Sequence, residues 1–293
     1  MAIELNEIKR RIIIALFSDD DLMDMLVLKG GNALDIIYGV ISRSSFDFDF
    51  SIEDEISEED ITVISDKIGR VLKSTFREVD YEVFDVTFEQ RPPTLSFDMK
   101  DFWGGYRVEF KIIDAKKYVE LAGNLDSIRR NATVIGPKNR KKIGIDISKF
   151  EYCTPKQETE LDGYTVYVYT PAMIVCEKLR AICQQMPEYG EIVKSPSQSA
   201  RARDFFDIYT IIEFFKIDLT TEENLELLKN IFIAKRVPLV LLVKIPIYRE
   251  YHRQDFPSVE STVTPRTNLK DFDFYFDYVV EKSQPLLKAL GII

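Results

Sequence analysis

The sequence predicts an α+β fold in which a mixed β-sheet domain comes first and a mainly helical domain follows. Strand-type alternation dominates residues 81–150, whereas helical spacing dominates after residue 170. The change falls at Thr170–Pro171, a helix N-cap followed by proline at the first helical position. With 293 residues, the chain is long enough for two domains. We therefore place the first domain at residues 1–170 and the second at 171–293.

The first domain is predicted to alternate helices with strands. Helical spacing occurs at Leu5–Phe17, Asp21–Val27, Asn32–Tyr38 and near Ser57–Thr75, where Ser57 is the expected N-cap. Gly39 would end the third of these helices. Strand alternation occurs at Phe46–Ile52, in YEVFDVTFE, YRVEFKII and KKIGIDISKF, and in YTVYVY at Tyr164–Tyr169.

The second domain is predicted to begin with a helix from Thr170 to about Gln185. A loop with two prolines and a glycine leads to a second helix at Ala200–Phe215. The remainder, Glu222–Ile293, is largely helical and rich in aromatic residues. Its segment DFDFYFDY could stack on bases, but at helical spacing it is expected to be core.

Composition excludes several classes of protein. No apolar run approaches the roughly 20 residues that span a bilayer. The N-terminal segment has no secretion-type cleavage site, and the three cysteines have no metal-ligand spacing, so we expect a cytoplasmic protein. A single histidine makes a histidine-based zinc site or catalytic triad a poor expectation. The net charge of −10 disfavours nonspecific nucleic-acid binding, although a local basic patch could still bind RNA.

The stretch SSFDFDFS places two like charges on one face of a strand. Successive side chains point to opposite faces, so the phenylalanines share one side while Asp47 and Asp49 share the other. Paired carboxylates suit Mg²⁺, which prefers a few carboxylates together with substrate phosphates. The alternative is the solvated outer face of an amphipathic strand.

Two glycines lie upstream of this strand, in LKGGNALDIIYG. Gly30 and Gly31 precede a predicted helix, where glycine allows close approach of the backbone and the free N–H groups favour a phosphate. The alternative is an ordinary tight turn into the helix. A phosphate cradle followed within twenty residues by an acidic pair nevertheless favours nucleotide and metal binding.

A third carboxylate is expected on an adjacent strand. In KKIGIDIS the isoleucines form one face, which leaves Asp146 on the other. Glu109 in YRVEFKI is the rival candidate, and either acid could instead be a solvated strand residue.

Two charged residues in the second domain lie on apolar helix faces. Lys178 has apolar residues three and four positions away on both sides, and Asp204 shares its face with isoleucines, with Asp207 one turn along. Buried lysine and aspartate are rare unless paired. They could form a structural ion pair between two helices, or act on a nucleotide in a cleft between the two domains.

The run LKGGNALDIIYGVISRSSFDFDFS resembles the signature of the AbiEii/AbiGii family of nucleotidyltransferase-like toxins. That signature has a KGG-x-AL turn and helix, then R-x-S-x-D-hydrophobic-D-hydrophobic on a strand, in register with Arg43, Ser45, Asp47 and Asp49. KIGIDIS resembles the strand of the third acid, which favours Asp146 over Glu109. The sequence departs from the signature at Asn32, where a small hydroxyl residue is usual, and at Phe46, which is usually polar.

A second signature lies in the helical half. The segment EKLRA followed by ARARDFFDIY resembles the lysine helix and the R-D-x-x-D helix of the family. The resemblance implies that Lys178 is the active-site lysine and Asp204 the acid. Arg201 and Arg203 are candidate phosphate contacts, although surface arginines are more often solvated. His252 with Arg249 and Arg253 forms a further basic and aromatic patch that could touch RNA, with a solvated surface as the alternative.

The resemblance implies a nucleotidyltransferase-like fold and transfer of a nucleotide from an NTP, with Mg²⁺ or Mn²⁺ as cofactor. The implied metal ligands are Asp47, Asp49 and Asp146, the implied nucleotide-binding residues are Lys29, Gly30, Gly31, Arg43 and Ser45, and the implied catalytic residues are Asp47, Asp49, Lys178 and Asp204.

The resemblance also implies the toxin of a toxin–antitoxin or phage-defence system, with an antitoxin partner and tRNA as the preferred acceptor. Two alternatives remain open: modification of a protein hydroxyl, and a nucleotide-binding or interaction module without turnover. The presence of all four catalytic candidates argues against an inactive site.

Overall fold

A mixed β-sheet organises the first half of the chain. The computed structural model describes residues 3–40, 47–121, 123–136, 139–193, 198–263 and 268–293. Within these residues seven strands form one sheet in the order β3-β4-β5-β2-β1-β7-β6. The strands are β1 (Val27–Lys29), β2 (Phe48–Ser51), β3 (Tyr81–Arg91), β4 (Gly105–Asp114), β5 (Ile143–Ser148), β6 (Gln157–Leu161) and β7 (Tyr164–Val168). β2 lies between β1, which is antiparallel to it, and β5, which is parallel.

Helices accompany this sheet in the first of two compact units, Met1–Gly39 with Phe46–Val168. They are α1 (Leu5–Phe17), α2 (Asp20–Met25), α3 (Gly30–Asn32, continued by a π-helical turn, Ala33–Ile37), α4 (Asp60–Arg77), α5 (Ala115–Glu120) and α6 (Leu125–Arg130). A 3₁₀ turn occupies Phe97–Met99.

Aromatic contacts join the sheet to its helices. Phe17 of α1 lies 6.2 Å from Phe50 of β2, and Phe76 of α4 lies 6.0 Å from Phe110 of β4, measured between ring centroids. Phe48 and Phe50 are buried, whereas Asp49 between them is partly exposed. The phenylalanines of β2 therefore anchor this strand in the core, as the alternation predicts.

The second unit, which includes Tyr169–Ile293, is helical. Its helices are α7 (Pro171–Cys183), α8 (Ala202–Phe215), α9 (Glu222–Ala234), α10 (Arg249–Arg253), α11 (Phe256–Glu260) and α12 (Phe272–Ala289), with 3₁₀ segments at Pro187–Glu191 and Leu239–Tyr248. The hydroxyl of Thr170 accepts from the Met173 N–H at 3.2 Å, which is the N-cap expected from the sequence. Rings of α12 pack on α8, with Phe205 and Phe276 4.9 Å apart, and the DFDFYFDY segment contributes Phe272, Tyr275 and Phe276 to the core.

The predicted α+β fold class is confirmed, and the differences are local. The helix expected at Asp21–Val27 ends at Met25, and the chain continues as strand β1. Strand β6 (QETEL) was not predicted because it is a short, charged edge strand without an alternating apolar face. Helix α4 begins at Asp60, although the Ser57 hydroxyl accepts from the Asp60 N–H at 3.2 Å.

Among the described helices, none is both long enough and apolar enough to cross a membrane.

The assignment of residues 1–170 and 171–293 as two functional domains stays a prediction.

Two glycines of the first unit predict opposite effects of alanine. A Cβ at Gly105 would collide with the Ile147 carbonyl oxygen across the β4–β5 pairing, and would lie 3.0 Å from its carbon. A Cβ at Gly69, inside α4, meets only Val86 at 4.0 Å. Gly105→Ala should lower the free energy of unfolding by about 2 kcal/mol, whereas Gly69→Ala should raise it by about 0.5–1 kcal/mol.

Denaturant unfolding of both variants measures this difference. Equal changes for the two substitutions would contradict the pairing of β4 with β5 at this register.

Candidate active site

A row of charged side chains crosses four neighbouring strands. In the sheet register, Asp49 of β2 pairs with Lys29 of β1 on one side and with Asp146 of β5 on the other. Asp146 in turn pairs with Arg107 of β4. Directly paired residues of neighbouring strands share a face, so these four form one charged row, Lys29–Asp49–Asp146–Arg107. The row lies on the face opposite Phe48 and Phe50.

Cations flank the two acids of the charged row. Lys29 is buried, and its Nζ lies 3.6 Å from Oε1 of Glu151, which is also buried. Arg107 donates to Asp146 through Nη1. Burial raises the pKa of the Asp146 carboxyl, the charge of Asp47 adds to this effect, and Arg107 opposes it. Two adjacent carboxylates are thus held together by positive charge at both ends of the row.

Gly30 follows Lys29 and approaches Asp49 closely. Its φ is +70°, in the left-handed region that favours glycine, and a Cβ there would lie only 2.7 Å from Oδ2 of Asp49. The absence of a side chain therefore leaves space beside the Asp49 carboxylate. Gly31 lies in α3, and the turn after it is tied to α1 by an ion pair between Lys9 Nζ and Asp35 Oδ2 at 2.6 Å.

Asp47 precedes β2 and is held through both its backbone and its side chain. Buried Asn32 donates from Nδ2 to the Asp47 carbonyl oxygen at 2.7 Å, and Arg140 donates from Nη2 to Asp47 Oδ1 at 2.8 Å. The Asp47 side chain is 53% exposed. Arg43 and Ser45, which the sequence predicts to bind the nucleotide, lie outside the described residues, as does Phe46.

The two candidates for the third acid occupy different positions. Asp146 is the direct neighbour of Asp49 on β5, whereas Glu109 lies one strand further away, on β4, which is not adjacent to β2. Glu109 accepts a hydrogen bond from Lys142 Nζ at 2.6 Å, and this contact lowers the pKa of its carboxyl. Of these two acids, Asp146 is the one that shares a register position with Asp49.

The chemistry of the donors suits a hard divalent cation. Asp47, Asp49 and Asp146 offer oxygen ligands of the kind that Mg²⁺ prefers, and Gly30 leaves room beside Asp49. The arrangement is not a closed metal cage: in the described part of the chain, no three His, Cys, Asp or Glu side chains are grouped as a metal site. Asp47 and Asp146 are instead paired with Arg140 and Arg107.

Lys178 and Asp204 are brought together in the second unit. Lys178 Nζ on α7 lies 2.9 Å from Asp204 Oδ1 and 2.7 Å from Asp207 Oδ2, both on α8. All three side chains are at most 11% exposed. The buried ion pair that the apolar faces predict is therefore present, and it ties α7 to α8. A role in catalysis stays a prediction.

The basic residues around α8 and α10 are mostly engaged within the second unit. Arg203 Nε donates to Ser258 Oγ at 2.9 Å. Arg249 and Arg253 each donate to Asp273 at 2.7 Å. His252 is fully buried. Both alternatives given for His252, a patch that could touch RNA and a solvated surface, are therefore wrong for the histidine itself, because its ring packs in the core while Arg249 and Arg253 pair with acids.

Three residues beside the candidate ligands did not enter the sequence prediction, Arg107, Arg140 and Glu151, and Asn32 entered it only as a departure from the family signature. Strand alternation could have found Arg107, which lies two residues before Glu109 on the same face. No periodic signal marks Asn32, Arg140 or Glu151, because their partners are set by the tertiary fold.

Comparisons of the sequence and the fold with known proteins identify the family to which the chain belongs. No curated protein matches the sequence. A crystal structure from H. pylori, described as that of a candidate nucleotidyltransferase, is similar with a TM-score of 0.47 and 16% identity, over 98% of this chain and 95% of that chain. The family model described as nucleotidyl transferase AbiEii toxin, type IV TA system, matches residues 11–278. The chain therefore belongs to the AbiEii family of nucleotidyl transferase toxins of type IV toxin–antitoxin systems.

Proposed function

We propose that this protein transfers a nucleotide from an NTP to an acceptor hydroxyl, with tRNA as the preferred acceptor and a divalent metal as cofactor. The observation that supports the proposal most is the charged row, in which Asp49 lies between Lys29 and Asp146 and faces the space left by Gly30. A carboxylate pair beside a glycine turn and a buried lysine suits a bound metal triphosphate.

In this proposal Asp47, Asp49 and Asp146 hold Mg²⁺ or Mn²⁺. When bound, the metal would neutralise the triphosphate charge and assist departure of pyrophosphate. Register supports Asp146 over Glu109 as the third ligand. Arg107 and Arg140 form ion pairs with Asp146 and Asp47, and with a metal held by these acids both guanidinium groups would be available to phosphate oxygens.

The nucleotide is proposed to lie on Lys29, Gly30 and Gly31, with Arg43 and Ser45 as further contacts. Lys29 supplies positive charge from a buried position, where it is less screened than at the surface. Gly30 permits the approach of a phosphate that any larger residue would block.

The reaction forms a bond between the acceptor oxygen and the α-phosphorus and breaks the bond to pyrophosphate. The proton of the acceptor hydroxyl must leave, and Asp204 is the proposed acceptor of that proton or the residue that orients Lys178. Lys178 would pair with phosphate or with developing negative charge. The hydrogen bond between Asp204 Oδ1 and Lys178 Nζ at 2.9 Å supports an orienting role for Asp204.

The proposed setting is the cytoplasm, with a cognate antitoxin as partner in a toxin–antitoxin or phage-defence system. Family membership supports the antitoxin. The net charge of −10 requires that an RNA acceptor be recognised by a local basic surface rather than by the whole protein.

The first experiment measures transfer itself. The protein is incubated with each α-labelled NTP, Mg²⁺ and total RNA, and we expect label in tRNA. Asp49→Asn and Asp146→Asn should reduce the rate by about 100-fold or more, because each removes charge from a metal ligand. Glu109→Gln is the matched control and should leave the rate near that of the wild-type protein.

The outcomes separate the alternatives. Label in protein would redirect the acceptor assignment to a protein hydroxyl, and no label with any NTP or acceptor would favour a binding module. Loss of activity in Glu109→Gln with normal activity in Asp146→Asn would overturn the choice of the third ligand.

The second experiment isolates the space beside Asp49. Gly30→Ala should abolish most transfer, because its Cβ would lie 2.7 Å from Asp49 Oδ2. Gly163→Ala is the matched control, since Gly163 also has a positive φ, +84°, but a Cβ there meets nothing within 4 Å. Both variants carry a backbone penalty of about 1 kcal/mol, so a comparison of rates at equal folded fraction reports the contact alone. Equal rates would argue against a role for the Gly30 turn.

A further inference from the structure

His252, the only histidine of the chain, is buried in the helical unit and belongs to no part of the proposed chemistry. It is 0% exposed, and its ring lies 5.2 Å from Phe205 and 5.1 Å from Tyr251 between centroids. Burial lowers the pKa of its imidazole to about 4, so the ring is neutral near pH 7. A neutral ring has one nitrogen that can accept a hydrogen bond.

That nitrogen fixes the beginning of α8. Nδ1 of His252 accepts from the backbone N–H of Arg201 at 3.1 Å. Arg201 is the N-cap residue of α8, and its carbonyl oxygen accepts from the Asp204 N–H at 2.9 Å. His252, which lies 51 residues further along the chain, thus holds the residue from which the first turn of α8 and Asp204 follow.

The same small region contains three buried polar atoms that have no hydrogen-bond partner among the described residues: Nε2 of His252, Nε of Arg201 and Oδ2 of Asp204. Asp204 Oδ2 forms an ion pair with Arg201 Nη1 at 3.6 Å. Buried polar atoms normally have a hydrogen-bond partner, so three without one in this region, one of them on the Asp204 carboxylate itself, call for an explanation. Oδ1 of that carboxylate is the atom that holds Lys178.

We propose that His252 is a positioning residue: by accepting the Arg201 N–H it fixes the first turn of α8 and so directs Asp204 toward Lys178. The inference rests on the proposed function only where it connects this geometry to nucleotide transfer. The ordinary alternative is that His252 merely fills space among aromatic rings.

Two substitutions distinguish positioning from packing. His252→Phe keeps a ring among the aromatic neighbours but has no acceptor for the Arg201 N–H. His252→Asn loses ring volume but carries an oxygen at the position of Nδ1 along the side chain. If His252 only fills space, His252→Phe should exceed His252→Asn in both stability and transfer activity. If His252 positions α8, His252→Phe should be the more stable variant and His252→Asn the more active one.

The first readout is hydrogen exchange at the Arg201 amide, which requires no activity. Exchange should become about tenfold faster in His252→Phe, because the N–H loses its partner, and should stay near the wild-type rate in His252→Asn. The second readout is nucleotide transfer, in which His252→Phe should lower kcat by roughly tenfold with a smaller change in KM for the NTP. His252→Asn should restore most of kcat.

Unchanged Arg201 exchange and unchanged kcat in His252→Phe would overturn the proposal. A lower kcat in both variants, in proportion to their loss of stability, would also overturn it in favour of packing. If the wild-type protein transfers no nucleotide, the proposed function fails, and the exchange measurement alone decides whether His252 positions α8.

Discussion

The position of β2 between β1 and β5 is the constraint on which the candidate site depends. Phe48 and Phe50 are held in the core, so Asp49 must face the other side of the sheet. Side chains of a strand alternate between the two faces of the sheet. A shift of β2 by one residue in its pairing register would therefore turn Asp49 into the core and Phe48 and Phe50 out of it. The burial of two phenylalanines, worth about 3–6 kcal/mol together, therefore also fixes where Asp49 meets Lys29 and Asp146.

Each unit places like charges close together and neutralises them with opposite charge, but the arrangement differs between the two units. In the first unit two neighbouring acids are held between Lys29 and Arg107 at the edges of the row. In the second unit the order is reversed, because one cation, Lys178, is held between two acids of α8. Buried charges survive only with such partners, and removing one partner leaves an uncompensated charge.

The sequence predicted the features that depend on period and on local capping. Alternation placed Asp49 and Asp146 opposite their apolar neighbours, and the Thr170–Pro171 signal gave the start of α7. Strand β1 is too short for a periodic signal. The contacts of Arg140 and His252 join residues 93 and 51 positions apart, so no local pattern encodes them. Burial of the only histidine likewise follows from a tertiary contact, in which its ring packs against Phe205 of α8.

The most direct test of the central claim is the location of a bound metal. Crystals grown with Mn²⁺ and a non-hydrolysable NTP analogue would give an anomalous signal for the metal. The account predicts a peak within direct coordination distance of carboxylate oxygens of both Asp49 and Asp146, with Arg107 released from Asp146. A peak coordinated elsewhere, with Arg107 still paired to Asp146, would contradict the assignment of this row as the catalytic centre.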